Sequence, residues 1–401
     1  MIRLIDIASV IMGQSPKSST YNEEGKGLPF YQGKAEFGEN CPTPVKWCSK
    51  PGKIAEKGDV LISVRAPVGP TNICQEKSCI GRGLAAVRPL GGMPTQYLRY
   101  WLSTKHHELE IKSTGTTFKA ISGDTLRNLE INLHPLPEQK RIVAKIESLF
   151  SRLDSAKDSL ERVRQEIKRY RQSVLKSAFD NLKQEKSIEN VFQIIDYRGR
   201  TPPFANSGIV HLRTANIRNG QIRLENIRYV TEETYKKYMT RGIPRKGDVL
   251  MTTEAPMGEV SLIPDYKFSI AQRMVLLRSD NFDKFVMYQI MSTFFQKRLE
   301  RAKTGTTVAG ISSRNFKKVS FKFCSLEEQA KIVEKIESRF ERAKVLENAV
   351  EQGLEKIERL KKSILKKAFE GKLVEADSND EPVEILLERI KKEKAKLKPS
   401  R

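Results

Sequence analysis

The sequence has no run of about 18 apolar residues, which excludes a hydrophobic membrane-spanning helix. Its start, Met1-Ile2-Arg3-Leu4-Ile5-Asp6, interrupts a short apolar stretch with an acid. No signal peptide is therefore expected, and the cytoplasm is the expected compartment. The chain also lacks a Gly-x-x-x-x-Gly-Lys-Ser/Thr phosphate loop, a glycine-rich fingerprint after a strand, an Asp/Asn-Pro-Pro-aromatic string and the Ser, Cys and Lys nucleophile motifs. Gly81-Arg82-Gly83 is too short to stand for a nucleotide loop. Catalysis is expected to come from a partner, and no cofactor is expected. The cysteines are few and odd in number (Cys41, Cys48, Cys74, Cys79 and Cys324), which argues against a disulfide framework. Their spacings do not suit zinc knuckles, and the four histidines form no ligand pattern, so no metal is expected.

Charge, by contrast, is abundant and of one sign. Lys plus Arg number 72 against 49 Asp plus Glu, a net +23 with pI near 9.7. This is the electrostatic footprint of a nucleic-acid binder, although an acidic protein or a membrane surface would also tolerate it. A length of 401 residues points to two to four domains.

The chain repeats itself. Thr114-Gly115-Thr116-Thr117-Phe118-Lys119-Ala120-Ile121-Ser122 recurs as Thr304-Gly305-Thr306-Thr307-Val308-Ala309-Gly310-Ile311-Ser312, an offset of 190 (304 − 114). The same offset carries Glu138-Gln139 onto Glu328-Gln329, and Leu175-Lys176-Ser177-Ala178-Phe179 onto Leu365-Lys366-Lys367-Ala368-Phe369. Upstream, Lys57-Gly58-Asp59-Val60-Leu61 matches Lys246-Gly247-Asp248-Val249-Leu250, and Ala-Pro-x-Gly follows each. Gly13-Gln14-Ser15-Pro16 faintly matches Gly199-Arg200-Thr201-Pro202. A period this long means two copies of a domain with its connector, not a solenoid. Agreement is good in the C-terminal part of each copy and poor in its middle.

From Glu138, after Pro135 and Pro137, apolar or aromatic residues fall at 142, 146, 149, 153, 156, 160, 163, 167, 170 and 174, in steps of 4 and 3. This is a heptad seam. The second copy follows the same frame, broken by Arg339 and Gly353. Two stripes of equal length in one chain most simply pair with each other, and the intervening domain makes the pair antiparallel. Each helix should have roughly 42 residues and a length of about 63 Å at about 1.5 Å per residue. The alternative is that each helix packs on its own domain.

The segments between the helices read as α+β. Asp59–Val64, Ala85–Arg88, Leu129–Leu133 and their counterparts Asp248–Thr253, Met274–Arg278 and Val319–Phe323 read as strands. Tyr97–Glu110 and Phe285–Arg301 read as amphipathic helices. The expected fold is α+β, with two mostly-β α+β domains at opposite ends of a long antiparallel two-helix coiled coil, an internal pseudo-twofold repeat. The expected spans are 1–135 and 186–325 for the domains, 136–185 and 326–376 for the helical spacers, and 377–401 for a basic tail, partly helical or disordered.

Thr114, Gly115, Thr116 and Thr117, with Thr304, Gly305, Thr306 and Thr307, offer backbone N–H and hydroxyl donors around a glycine that can approach a phosphate, or else form a turn kept for packing. Arg65 and Glu254 occupy equivalent places with opposite charge. An arginine fork suits guanine O6 and N7, whereas a glutamate accepts from the cytosine amino group, so this position is a candidate base reader that differs between domains. A salt-bridge role would tend to keep one sign. Tyr31, Gln32, Lys34, Arg82, Arg200, Arg213, Asn216 and Arg273 are further candidate DNA contacts at polar or aromatic positions where the copies diverge.

Taken together, Gly115-Thr116-Thr117 and Gly305-Thr306-Thr307 with their following Ile-Ser, Pro135-Leu136-Pro137-Glu138-Gln139, and Leu365-Lys366-Lys367-Ala368-Phe369-Glu370-Gly371-Lys372-Leu373 resemble the specificity subunits of Type I restriction–modification systems, over essentially the whole chain. The resemblance implies that each domain reads one half of a bipartite site in double-stranded DNA. It implies that the helices space the domains and dock two methyltransferase (modification) subunits, with restriction and motor subunits joining the larger complex. The second copy departs from the pattern, with Ser325-Leu326-Glu327 before its Glu-Gln pair, which leaves the start of its helix open. The competing reading is a coiled-coil scaffold that binds DNA nonspecifically through charge.

Overall fold

A computed structural model describes residues 2–115, 119–197, 201–304 and 310–397. The chain forms two compact units: Met1–Ser159 with Gly353–Arg401, and Leu160–Gln352. The boundaries therefore cut through both long helices rather than falling at their ends.

In the first unit a four-stranded antiparallel sheet has the order Ala8–Met12, Leu84–Pro89, Val60–Ser63, Thr71–Ile73. Side chains alternate across a strand. Val60, Ile62, Ala85 and Val87 accordingly face one core with Tyr97, Leu98 and Trp101 of the helix Thr95–Thr104. Leu61, Leu84 and Ala86 face a second core with Tyr31, Cys74 and Ile80. Burial on both faces explains why these strands read as continuous apolar runs. The second core is closed by a five-stranded sheet, Tyr21–Asn22, Lys46–Cys48, Leu28–Tyr31, Ser78–Ile80, Ile54–Ala55, with one parallel pair at its middle. Cys48 and Cys79 are buried there beside Phe30 as small hydrophobes.

The second unit repeats the first sheet strand for strand: Gln193–Asp196, Met274–Arg278, Val249–Thr252, Val260–Leu262. Its second sheet is reduced to three strands, Arg228–Val230, Ile209–Leu212, Phe268–Ile270, which keep the antiparallel and parallel pairing of Lys46–Cys48, Leu28–Tyr31, Ser78–Ile80 without the two outer strands. The sequence match fades where the architecture diverges.

Several repeated residues are scaffold. Asp59 is 1% exposed and takes a bidentate pair from Arg88 (2.8 and 2.9 Å), and Asp248 takes the same from Arg278 (2.8 and 2.7 Å). Gln139 and Gln329 are buried, and each donates to the carbonyl five residues before it, of His134 and Cys324 (2.8 and 3.0 Å). Ser122 and Ser312 cap the short helices Gly123–Arg127 and Ser313–Lys317. The expected helices over 97–110 and 285–301 are each broken in two, as Thr95–Thr104 with His106–Ile111 and as Asp283–Met291 with Thr293–Ala302. The second break has a clear cause, since the Ser292 hydroxyl caps a new helix at the Phe295 N–H.

The long helices run Leu136–Asp180 and Leu326–Phe369, at 45 and 44 residues slightly longer than expected. The second starts with a capping box: the Ser325 hydroxyl accepts from Glu328 N, and Glu328 Oε2 accepts from Ser325 N (3.3 and 3.1 Å).

The frames of both seams are corrected. On the first helix Ala156, Val163 and Tyr170 are exposed, and Arg164 and Arg171 stand in the stripe with Ile167 and Val174. On the second the frame shifts as well. Val333, Ile336, Phe340, Ala343, Val350, Ile357 and Ala368 are the buried positions, so the stripe runs through Phe340 rather than Arg339, and Leu346 is 54% exposed. Steps of 3 and 4 then include Glu347 and Lys361, and both are paired to the other helix. In the first unit Lys361 meets Asp154 (2.5 Å) and Glu358 meets Lys157 (3.8 Å). In the second, Arg171 grips Glu347 (3.0 and 2.9 Å) and Arg164 meets Glu351 (3.3 Å). Rising numbers on one helix meet falling numbers on the other, so within each unit the segments are antiparallel. The helix ends also belong to the globular cores: Ile142, Ile146 and Ala368 in the first, Val174, Phe179, Val333 and Ile336 in the second. Packing on the globular parts, the alternative weighed from the sequence, therefore accounts for those ends.

The tail is ordered in part as a helix, Val383–Leu397, with Leu386 and Ile390 buried in the first unit beside Leu4 and Leu90. Glu393 accepts from the Gly91 N–H (2.7 Å), and Arg141 grips Asp380 (2.9 and 2.6 Å).

Candidate nucleic-acid interface

In the first unit the site begins at the end of the strand Val60–Ser63. Val64 N donates to the Gly83 carbonyl (2.9 Å), and Ile121 N donates to the Val64 carbonyl (3.0 Å). Ala66 N donates to the Lys119 carbonyl (3.0 Å), and the Ala66–Pro67 bond is cis. These bonds hold Arg65 beside the small hairpin closed by reciprocal Thr114–Ala120 hydrogen bonds of 2.9 Å. Gly115, at φ +107°, takes a conformation that favours glycine. Thr114, the first residue of the repeated string, and the charge-swapped position thus flank the same residue, Ala120. Thr116 and Thr117 lie outside the described residues.

Gly83 brings the rest together. A Cβ there would stand 2.2 Å from the Gln32 carbonyl oxygen, so only glycine permits the backbones at 32 and 83 to touch. The result is a cleft of about 360 Å³ into which Gln32, Lys34, Arg65 and Arg82 converge. Among the described residues its lining has three cations and no carboxylate, a complement to an anionic ligand. Ser15 and Tyr21 also line it and were not expected. The faint Gly13-Gln14-Ser15-Pro16 match was the available signal for the former, whose hydroxyl accepts from Arg82 N (3.3 Å).

The second unit has the same framework. Thr253 N donates to the Arg273 carbonyl (2.8 Å), Ile311 N to the Thr253 carbonyl (3.1 Å), and Thr304 closes on Gly310 (2.7 and 3.3 Å). Glu254 therefore sits against its hairpin as Arg65 does, but it is ion-paired: Arg273 Nε lies 3.1 Å from Glu254 Oε2. Gly305, Thr306, Thr307 and Arg200 lie outside the described residues. Arg213 is half-buried and donates to the Asn226 carbonyl (2.6 Å).

Two expected contacts are corrected. Tyr31 is only 3% exposed, and burial pushes its phenol up to about 12. It is a core residue. Asn216 is 2% exposed, with its amide donated to the Arg223 and Glu225 carbonyls (2.9 and 3.1 Å) and its oxygen taken by Arg213 N (3.0 Å). Glu36 does the same work in the first unit, accepting from Gly33 N (3.1 Å). Asn216 closes a turn, and its polarity is spent on backbone.

Among the described residues no group of three or more His, Cys, Asp or Glu side chains is placed to hold a metal ion, and no helix is long and apolar enough to cross a membrane.

The family described as "Type I restriction modification DNA specificity domain" matches the chain twice, over residues 1–165 and 181–356. The chain belongs to that family. The type I restriction enzyme EcoBI specificity subunit of Escherichia coli is 24% identical over 442 aligned positions, covering 98% of this chain and 92% of that protein. A putative MjaX specificity subunit of Methanocaldococcus jannaschii is 47% identical over 141 residues, which is 35% of this chain and 33% of that protein. The crystal structure of an HsdS subunit from Thermoanaerobacter tengcongensis shares 54% identity over 36% of this chain and 35% of that one, with a TM-score of 0.33, too low to bear on the fold. A specificity subunit recognises a DNA target and is not itself the catalyst.

Proposed function

We propose that each unit reads one half of a bipartite, interrupted site in double-stranded DNA. The two long helices set the spacing between the halves and dock two methyltransferase subunits, with restriction and motor subunits in the full complex, in the cytoplasm. The carrying observation is a conserved frame presenting unlike side chains: the same strand end and hairpin hold Arg65 beside Lys34 and Arg82 in one unit, and the Glu254–Arg273 pair in the other. Phosphate contacts would position the duplex and the differing side chains would specify bases. Docking is supported by apolar residues left open on the long helices, with Tyr170 44% and Val345 62% exposed.

The test is to sequence modified bases in the genome of a host that makes the chain with its modification subunits. One interrupted motif is expected. A scaffold binding through charge alone would instead show salt-sensitive binding and no preference.

A further inference from the structure

The two recognition corners differ at two places. In the first unit the strand end carries Arg65, and the carbonyl beneath it comes from Gly83. In the second the strand end carries Glu254, and the equivalent carbonyl comes from Arg273. Gly83 has no room for a side chain. Arg273 has one, and holds it at φ +71°, a left-handed conformation that residues other than glycine avoid. Backbone strain of this kind survives only where the surroundings impose it. Here those surroundings include Glu254, whose Oε2 fixes the Arg273 Nε at 3.1 Å. Gly310 in turn packs on the Glu254 stem so closely that a Cβ there would come within 2.5 Å of Glu254 Cγ. The arginine is held by its inner nitrogen while its side chain stays 49% exposed.

We propose that Arg273 is the base-reading residue of the second unit and that Glu254 is its positioning residue rather than a reader. This rests on the DNA-reading function proposed above. A bare carboxylate facing a polyanion is repelled, whereas one spent on Nε leaves the two terminal nitrogens of the guanidinium for the fork that takes guanine O6 and N7. A guanidinium then stands beside the hairpin in both units: that of Arg65, from the strand end with Arg82 nearby, in the first, and that of Arg273, from the neighbouring strand, in the second. The opposite charges at 65 and 254 report where the arginine comes from, not which base is read.

The experiment uses the full-length chain assembled with its modification subunits and a pool of fully randomised DNA duplexes, from which bound molecules are selected and sequenced. Arg273→Ala should flatten one base pair in one half of the selected motif, losing roughly 5- to 150-fold of preference there. Glu254→Ala should flatten the same base pair, and the double variant should lose no more than Arg273→Ala alone. Glu254→Gln keeps an acceptor for Nε and should keep part of the preference, whereas Arg273→Lys lacks the fork and should not. The other half of the motif reports in each case that the variant is folded and bound. The proposal is overturned if Glu254→Ala relaxes a different base pair, or if it leaves untouched the one that Arg273→Ala relaxes. A wild-type chain that selects no sequence would refute the DNA-reading function itself, and this assignment with it.

Discussion

Replacing Arg88 by methionine tests whether the best-matched upstream motif, Lys-Gly-Asp, is a clamp or a contact. Asp59 is buried and accepts three hydrogen bonds: two from Arg88 and one from Glu56 N (2.8 Å). Arg88→Met leaves a buried carboxylate with one donor. Breaking a buried pair costs about 3–5 kcal/mol. The remaining bond, and water admitted where Arg88 is about a third exposed, place the expected loss near the lower end, about 3 kcal/mol. The protein supplies its own reporter. Its two tryptophans, Trp47 and Trp101, both lie in the first unit, so their fluorescence follows that unit alone. With a urea m-value of roughly 2–3 kcal/mol/M, the tryptophan-detected midpoint should fall by about 1 M. Asp59→Leu/Arg88→Met, which removes both charges, should recover much of that loss. A midpoint shift below about 0.3 M would refute the clamp. So would a variant of unchanged stability that relaxed one base pair of the DNA site, because the pair would then be part of the reading surface.

Two further outcomes follow from the same reasoning. His211 is buried against Ser269, and burial pushes its imidazole down to about 4; because the folded value is depressed below about 6.5, stability is whole above that pH and lost as pH falls from about 6.5 toward 4, by up to about 3 kcal/mol, and His211→Gln should flatten that limb in urea titrations read by circular dichroism. Seven residues inserted in each long helix, after Ser159 and after Gln352, keep the heptad phase and add about 10 Å to each helix, so the selected motif should keep both halves and gain about three base pairs between them at ~3.4 Å per pair; an unchanged spacer would remove the spacing role.

What the sequence made legible was what physics repeats. The strands Val60–Ser63 and Val249–Thr252 announced themselves because apolar runs of that length, entered through Lys-Gly-Asp, suit a sheet buried on both faces. The long helices were legible because a stripe every 3.5 residues has few other uses. The frames of the stripes were not, because Arg164 and Arg171 on the first helix and Glu347 and Lys361 on the second sit in them as charges satisfied by the other helix, and binary patterning counts a paired charge as a break. The second sheets were missed because their strands are two to four residues long and set by tertiary contact. In the site, Arg65 and Glu254 stood out by their equivalence. Tyr31 and Asn216 misled because polarity at a divergent position does not say whether the polar atoms face water or a neighbouring backbone.

That distinction changes what a transplant between the units can show. Glu254→Arg looks like the direct exchange, but it would place a second guanidinium within ~4 Å of Arg273, a repulsion of about 1–4 kcal/mol across the plausible dielectric range. It also removes the partner that holds Arg273. Weaker binding without a new preference is therefore expected, and that outcome says little about which atom reads a base. Adding Arg273→Gly relieves the repulsion and places glycine at φ +71°, where it is unstrained. The corner then carries Arg and Gly, as at Arg65 and Gly83. Glu254→Arg/Arg273→Gly should bind better than Glu254→Arg alone, with its preference altered at one base pair in selection from randomised duplexes. If Arg273→Gly instead weakens the Glu254→Arg protein further, the two positions act independently, and the corner is not one guanidinium supplied from either of two strands.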